Sequence, residues 1–163
     1  MDPAQFLGLV IRPTLRWLHL ESPEAEALLL GTALAESRLT HLAQLDGGPA
    51  LGVYQMEPAT HDDIWRHYLA FRRPMAARIE ALIAPRPRPR THQLPTNLAY
   101  ATAMARLHYL RVAAPLPAEA PAMAAYHKRH YNTNAGAAEP AETERWFRRA
   151  RRLVEGDRQW RST

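Results

Sequence analysis

Apolar positions recur at helical spacing along most of this chain, and one stretch is apolar on every side. From Ala25 to Ala35 only Glu26 and Thr32 interrupt the run. A helix without a polar face belongs inside a protein, so this segment is expected to be a central helix buried all round. Its start is well marked. Ser22 offers a capping hydroxyl, Pro23 suits the first helical position, and Glu24 and Glu26 place acids in the electropositive first turn. Gly31 in its middle lowers helix propensity and predicts a close approach by another helix. Glu36 and Ser37 stand at its far end.

The remaining pattern gives further helices. Residues 3–20 suit a first one, with Phe6, Leu9, Val10, Trp17 and Leu20 for packing and Pro13 bending or splitting it. Ile64, Trp65, Tyr68 and Leu69 mark a helix over 58–71, and Met75, Ile79, Leu82 and Ile83 a shorter one over 74–84. The alternating prolines and arginines of 84–95 predict an extended surface connection. Thr96 or Asn97 then caps a helix reaching about Val112, with Leu98, Ala101, Ala105, Tyr109 and Val112 on one face. Two more are expected, over about 118–129 and about 140–154, the last ended by Gly156. Only Gly52 to Met56 suits a short extended piece, so the fold class is mostly α, without repeats, with at most a small β element.

A length of 163 residues fits one domain, 1–163, able to bury its own core. There is no cysteine, which removes disulfides, thiolate metal sites and cysteine nucleophiles. The N-terminus begins with an acid, and Arg12 and Pro13 break its apolar run, so it makes a poor signal peptide. No apolar run approaches the roughly 20 residues that span a bilayer. Synthesis in the cytoplasm is expected, with any extracytoplasmic substrate reached through another delivery factor. The net charge of +5 comes mainly from arginine, much of it at 86–90 and 145–152. It attracts polyanions in general, and the basic C-terminal helix suits an anionic wall polymer or membrane surface; no motif points to a specific nucleic acid.

The candidate chemistry lies between Gly31 and Thr60. A carboxyl at the end of a buried helix faces a polar turn, Leu45 to Pro49, and a re-entrant segment, Gly52 to Met56. Partial burial disfavours the ionised form of a carboxyl and suits it to act as a general acid near neutral pH. The histidines make no metal pattern. His61 and His67 lie on different helix faces, and His127 and His130 share one without a third ligand at matching spacing. They are expected to be solvated or capping, and no metal or cofactor is expected.

Three blocks in order carry a family resemblance. Ala35-Glu36-Ser37 followed by Ala50-Leu51-Gly52-Val53-Tyr54-Gln55-Met56-Glu57-Pro58-Ala59-Thr60 resembles the catalytic domain of lytic transglycosylases, as does the helix Asn97 to Arg111 and the approach Ala122 to Tyr126. The resemblance spans about residues 23–135 and implies a lysozyme-like domain related to goose-type lysozyme, of phage type. It implies Glu36 as the catalytic acid and base, Ser37 and Gln55 as residues near the sugar, and Tyr126 as hydrogen-bonded to the glutamate. Tyr54 joins the substrate-contacting set, with packing in the core as its alternative. The chain departs from the family where His127 and Lys128 follow Tyr126; Tyr131 and Asn132 are similar to the missing part of that motif. Glu57, and Asp46 in the preceding loop, stand where goose-type lysozymes carry acids. The expected reaction is cleavage of peptidoglycan between N-acetylmuramic acid and N-acetylglucosamine, leaving a 1,6-anhydro end. The alternatives are hydrolysis, with Glu57 or Asp46 positioning a water, and a non-catalytic wall-binding or virion-structural module. The partner expected is peptidoglycan, reached by a monomer or a virion component acting in the periplasm.

Overall fold

The computed structural model describes residues 1–45, 47–85, 89–131 and 140–161, for the last five of these the backbone alone. Helix α1 (Pro3–Phe6), a π-helical turn (Leu7–Ile11) and α2 (Arg12–Leu18) run on as one rod. Asp2 caps its start by accepting the Gln5 N–H at 2.9 Å. Pro13 has no N–H, and its ring crowds the carbonyl four residues back. Widening the preceding turn to π spacing relieves that crowding, which is the form the expected bend takes.

Helix α3 (Pro23–Ser37) begins as expected, with the Ser22 hydroxyl accepting the Ala25 N–H at 3.0 Å. Every residue from Ala25 to Leu34 is buried. Glu26 is accommodated by an ion pair to Arg12 of α2, Nε to Oε2 3.0 Å, itself buried. A methyl group at Gly31 would sit 2.2 Å from the Phe147 ring, so the glycine is what lets α9 (Pro140–Arg161) lie against α3. Phe147, Ala150 and Val154 enter the core from that helix. Helix α9 continues through Gly156 instead of stopping there. One glycine costs a helix only about 1 kcal/mol, and good helix formers flank this one.

Between α3 and α9 come α4 (Pro58–His67), a 3-10 turn (Leu69–Phe71), α5 (Arg73–Glu80), a second 3-10 turn (Arg90–His92), α6 (Gln93–Thr96), α7 (Leu98–Leu110) and α8 (Ala120–His130). The connection expected to be extended over 84–95 is thus helical from Arg90 onward. Once the prolines cease at Pro89, the backbone N–H groups needed for helical turns return until Pro95. Asn97 caps α7 by accepting the Tyr100 N–H at 3.0 Å.

Helix α7 divides the interior. One face joins a core built from α1, α3, α8 and α9, including Leu28, Leu29, Tyr54, Tyr109 and Phe147. The other packs Tyr100, Ala103, Met104 and Leu107 against Ile64, Leu69, Ile79 and Leu94 of α4 to α6. Each fully buried leucine or isoleucine contributes about 1.5–3 kcal/mol. The loop between α3 and α4 carries the isolated antiparallel bridges Ala43–Leu51 and Leu51–Met56, and no strand occurs among the described residues. The architecture is a single mostly α domain. Among the described residues no helix is long and apolar enough to cross a membrane.

Candidate active site

The site is built where α3 ends. Arg38 and Leu39 take left-handed backbone conformations, φ 52° and 57°, and turn the chain out of the helix. Ser37 fastens this end to the incoming loop: its hydroxyl donates to the Val53 carbonyl at 2.7 Å and accepts the Leu39 N–H at 3.2 Å. Gly52, at φ 75°, presses that loop on α6, where a methyl group would fall 2.3 Å from the Leu94 carbonyl oxygen. Gln55, also left-handed at φ 45°, closes the turn by donating from Nε2 to the Gly52 carbonyl at 2.8 Å. Glu36 is thereby fixed on a rigid helix end, its side chain 15% exposed.

The partner of Glu36 is His127, whose Nε2 stands 3.1 Å from Oε1. His127 is buried on α8. Its other nitrogen, Nδ1, lies 3.0 Å from the Tyr109 hydroxyl of α7. That hydroxyl is 2.8 Å from the hydroxyl of Thr32, which donates to the Leu28 carbonyl at 2.8 Å. Tyr131 stacks on His127 at 5.5 Å between ring centres and donates its hydroxyl to the Tyr54 carbonyl at 2.9 Å. Burial, and secondarily the Glu36 charge, pushes the phenols of Tyr109 and Tyr131 well above their ordinary range, although Thr32 opposes this for Tyr109. Both remain neutral hydroxyls.

Next to this group His108 donates from Nε2 to the His130 carbonyl at 2.7 Å and accepts from Arg111 at 3.0 Å on Nδ1. Arg111 also pairs with Asp63 of α4. Burial lowers the His108 pKa to about 4, so this ring is neutral and its hydrogen bonds fix its tautomer.

Several sequence expectations change. Ser37 is 1% exposed, and its hydroxyl is committed to backbone, so it holds the loop and does not face a sugar. Tyr54 is equally buried, its ring 6.1 Å from Phe6, and serves the core. Its hydroxyl is buried beside Thr102 without a hydrogen bond of normal geometry among the described residues. Tyr126 donates to the Ala114 carbonyl at 3.4 Å and does not hydrogen-bond Glu36. The chain turns so that His127, one residue on, points at the carboxyl instead. His61 and His127, expected at the surface or at helix ends, are both buried.

Gln55 keeps a half-buried place in the loop. Glu57 is half-buried at the N-terminus of α4, and its carboxylate makes no hydrogen bond or ion pair among the described residues. Asp46 and Asn132 lie outside the described residues. Sequence reasoning missed the Thr32–Tyr109–His127 connection. Its trace was present: Thr32 and Glu36 are four apart on α3, as are His127 and Tyr131 at the end of α8, so each pair shares a helix side.

Among the described residues no group of three or more His, Cys, Asp or Glu side chains is placed to hold a metal ion. Comparison with protein-family models, curated proteins and solved structures gives no significant match to this chain.

Proposed function

We propose that this chain cleaves the glycan strand of peptidoglycan at the β-1,4 bond between N-acetylmuramic acid and N-acetylglucosamine. Glu36 is the general acid and then the general base. The carrying observation is the carboxyl itself: one glutamate at the end of an all-buried helix, still partly exposed, with a buried histidine 3.1 Å away. A carboxyl held in this way can give a proton to a glycosidic oxygen as the bond to the anomeric carbon breaks. The resulting carboxylate then takes the proton of the muramic C6 hydroxyl as that oxygen bonds to the anomeric carbon. The products are a 1,6-anhydro end and a free hydroxyl, with Glu36 protonated again. Because the substrate supplies the nucleophile, a second carboxylate is unnecessary.

A hydrolytic version is the second reading, favoured by the half-buried Glu57 carboxylate that no described residue engages. There Glu57 would position a water. In either version the protein acts on the cell wall, as a lysin or virion component. Arg145, Arg149 and Arg152 lie exposed at helical spacing on α9 without ion pairs among the described residues, which suits attraction to an anionic wall.

The test is release of dye-labelled fragments from purified peptidoglycan. Wild-type protein is expected to release them, and Glu36→Gln to lose release while keeping its helical spectrum and melting temperature. Release undiminished in Glu36→Gln would overturn the assignment.

A further inference from the structure

We propose that Arg106 on α7 is the floor of a second binding site, which takes one carboxylate of a ligand. Among the described residues two arginines are buried, Arg12 and Arg106. Arg12 meets Glu26 at 3.0 Å. Arg106, 8% exposed, meets no acid among the described residues, and its Nε and Nη1 are shut off from solvent without a hydrogen-bond partner. At 100° per residue it lies about 60° from Tyr109 on one side and about 60° from Ala103 on the other. It thus occupies the flank of α7 where the two cores meet, about 140–160° away from His108 and Arg111. The ionisable side chains that act on it are the phenols of Tyr126 on α8 and Tyr68 at the end of α4.

A guanidinium stays charged inside a protein, so Arg106 is a buried cation without a counter-charge. Such a group is among the costliest a fold can hold, and an apolar residue of similar volume would pack there better. Burial accordingly holds its pKa below the ordinary value, and the two phenols offset only part of this. Packing alone does not account for the arginine; an anion does.

The way in is at Nη2, which makes no hydrogen bond and is not shut off from solvent. A guanidinium presents two planar forks, Nε with Nη2 and Nη1 with Nη2. All three nitrogens are free, so either fork can grip two oxygens of one anion. Water entering by the same route can accept the N–H groups but leaves the charge standing. One guanidinium balances one negative charge, which favours a carboxylate over doubly charged phosphate. Tyr126 spends its hydroxyl proton on the Ala114 carbonyl across 3.4 Å, a long bond that a carboxylate can take over. The lactyl carboxylate of a muramic acid unit is one source of such a group. That source rests on the proposed glycan reaction, whereas the site itself does not.

The experiment is thermal unfolding of the full chain at neutral pH with sodium acetate, sodium N-acetylmuramate or phosphate, each against sodium chloride of equal ionic strength. Neither carboxylate probe has a glycosidic bond to cleave, so no activity is needed. A carboxylate at about ten times its dissociation constant should raise the wild-type melting temperature by about 3–6 °C. Arg106→Met should melt above wild type in chloride and respond to neither carboxylate. If N-acetylmuramate acts at a tenfold lower concentration than acetate, the carboxylate comes from the wall sugar. If the two act alike, the ligand is a small free carboxylate, and the site stands even where wild type releases no glycan fragments. No shift beyond chloride with either carboxylate, an equal shift in Arg106→Met, or phosphate acting below both carboxylates overturns the proposal. Should Arg106→Met not fold, nitrogen NMR of the arginine-labelled wild type decides, with the Arg106 Nε–H signal assigned by its loss in Arg106→Lys. That signal should move with the carboxylate probes, and a signal that stays still contradicts the site.

Discussion

His61 and His127 are buried on opposite sides of α7, each between a carboxylate and a tyrosine of that helix, yet their protons are arranged in opposite ways. Tyr100 and Tyr109 are nine residues apart, which at 100° per residue puts them on opposite faces. At the first site the terminal group is Trp65, whose indole N–H can only donate, and it donates to the Tyr100 oxygen at 3.0 Å. Tyr100 is fully buried and has one proton, which goes to His61 Nε2 at 2.7 Å. Nδ1–H is left to donate to Asp62 at 2.9 Å. Asp62 thus receives a full hydrogen bond. At the second site the terminal group is the Leu28 carbonyl, which can only accept, so the donors run the other way: Thr32 to Leu28, Tyr109 to Thr32 and His127 Nδ1–H to Tyr109. A donor-only or acceptor-only group at the end of each chain decides which nitrogen of the buried histidine carries the proton.

The largest expected effect breaks the symmetry directly. Glu36→Gln should lower glycan release by about 10²–10⁴-fold, the range for loss of a general acid, while Asp62→Asn should leave it within a few-fold. Equal losses in the two variants would show that burial beside a histidine, and not the direction of the chain, is what matters. Next comes the seam behind the Glu36 site. Gly31→Ala forces a methyl group into the Phe147 ring and should cost about 1–3 kcal/mol, read as a lowered denaturant midpoint. An unchanged midpoint would mean that α9 yields freely and is not what braces α3.

Tyr100→Phe and Tyr109→Phe each strip one buried hydroxyl and leave a histidine nitrogen without its partner, at about 1–3 kcal/mol apiece. They should destabilise alike but differ in function: only Tyr109→Phe, which frees the His127 ring beside Glu36, should lower glycan release. A last effect concerns stability at acid pH. Burial depresses the affinity of His61 and His108 for a proton, with Asp62 opposing for His61, and takes His108 from 6.5 to about 4. The unfolded chain then binds more protons below about 6.5, so stability present above that pH is lost progressively toward pH 4. Thermal melts between pH 7 and 4 should show a falling midpoint; a flat profile would contradict the two neutral, buried rings.

Much of the scaffold was legible in the sequence. The cap at Ser22, the all-apolar run after it, and Gly31 as a close-approach glycine are local signals, and each appears in place. Gly156 and the stretch after Pro89 misled because propensity is weak: one glycine does not stop a helix with good formers on both sides. The position of Glu36 was readable from chain pattern, but its partner was not. A one-residue difference in where α8 points decides between Tyr126 and His127, and pattern alone does not resolve it. The family resemblance places Ser37 near the sugar and leaves Tyr54 between substrate contact and core packing; in three dimensions both face inward. Buried histidines were the other blind spot. His61 and His127 are paired through Tyr100 and Tyr109, 39 and 18 residues away, and nothing local announces those partners.

The central claim is that one carboxyl, Glu36, cleaves a glycan without a water. Mass spectrometry of the fragments released from purified peptidoglycan tests it most directly. The account predicts 1,6-anhydro-muramic ends from wild type and no fragments from Glu36→Gln. Reducing muramic ends would contradict the single-carboxyl mechanism and promote Glu57. Anhydro ends persisting in Glu36→Gln would remove Glu36 from the chemistry altogether.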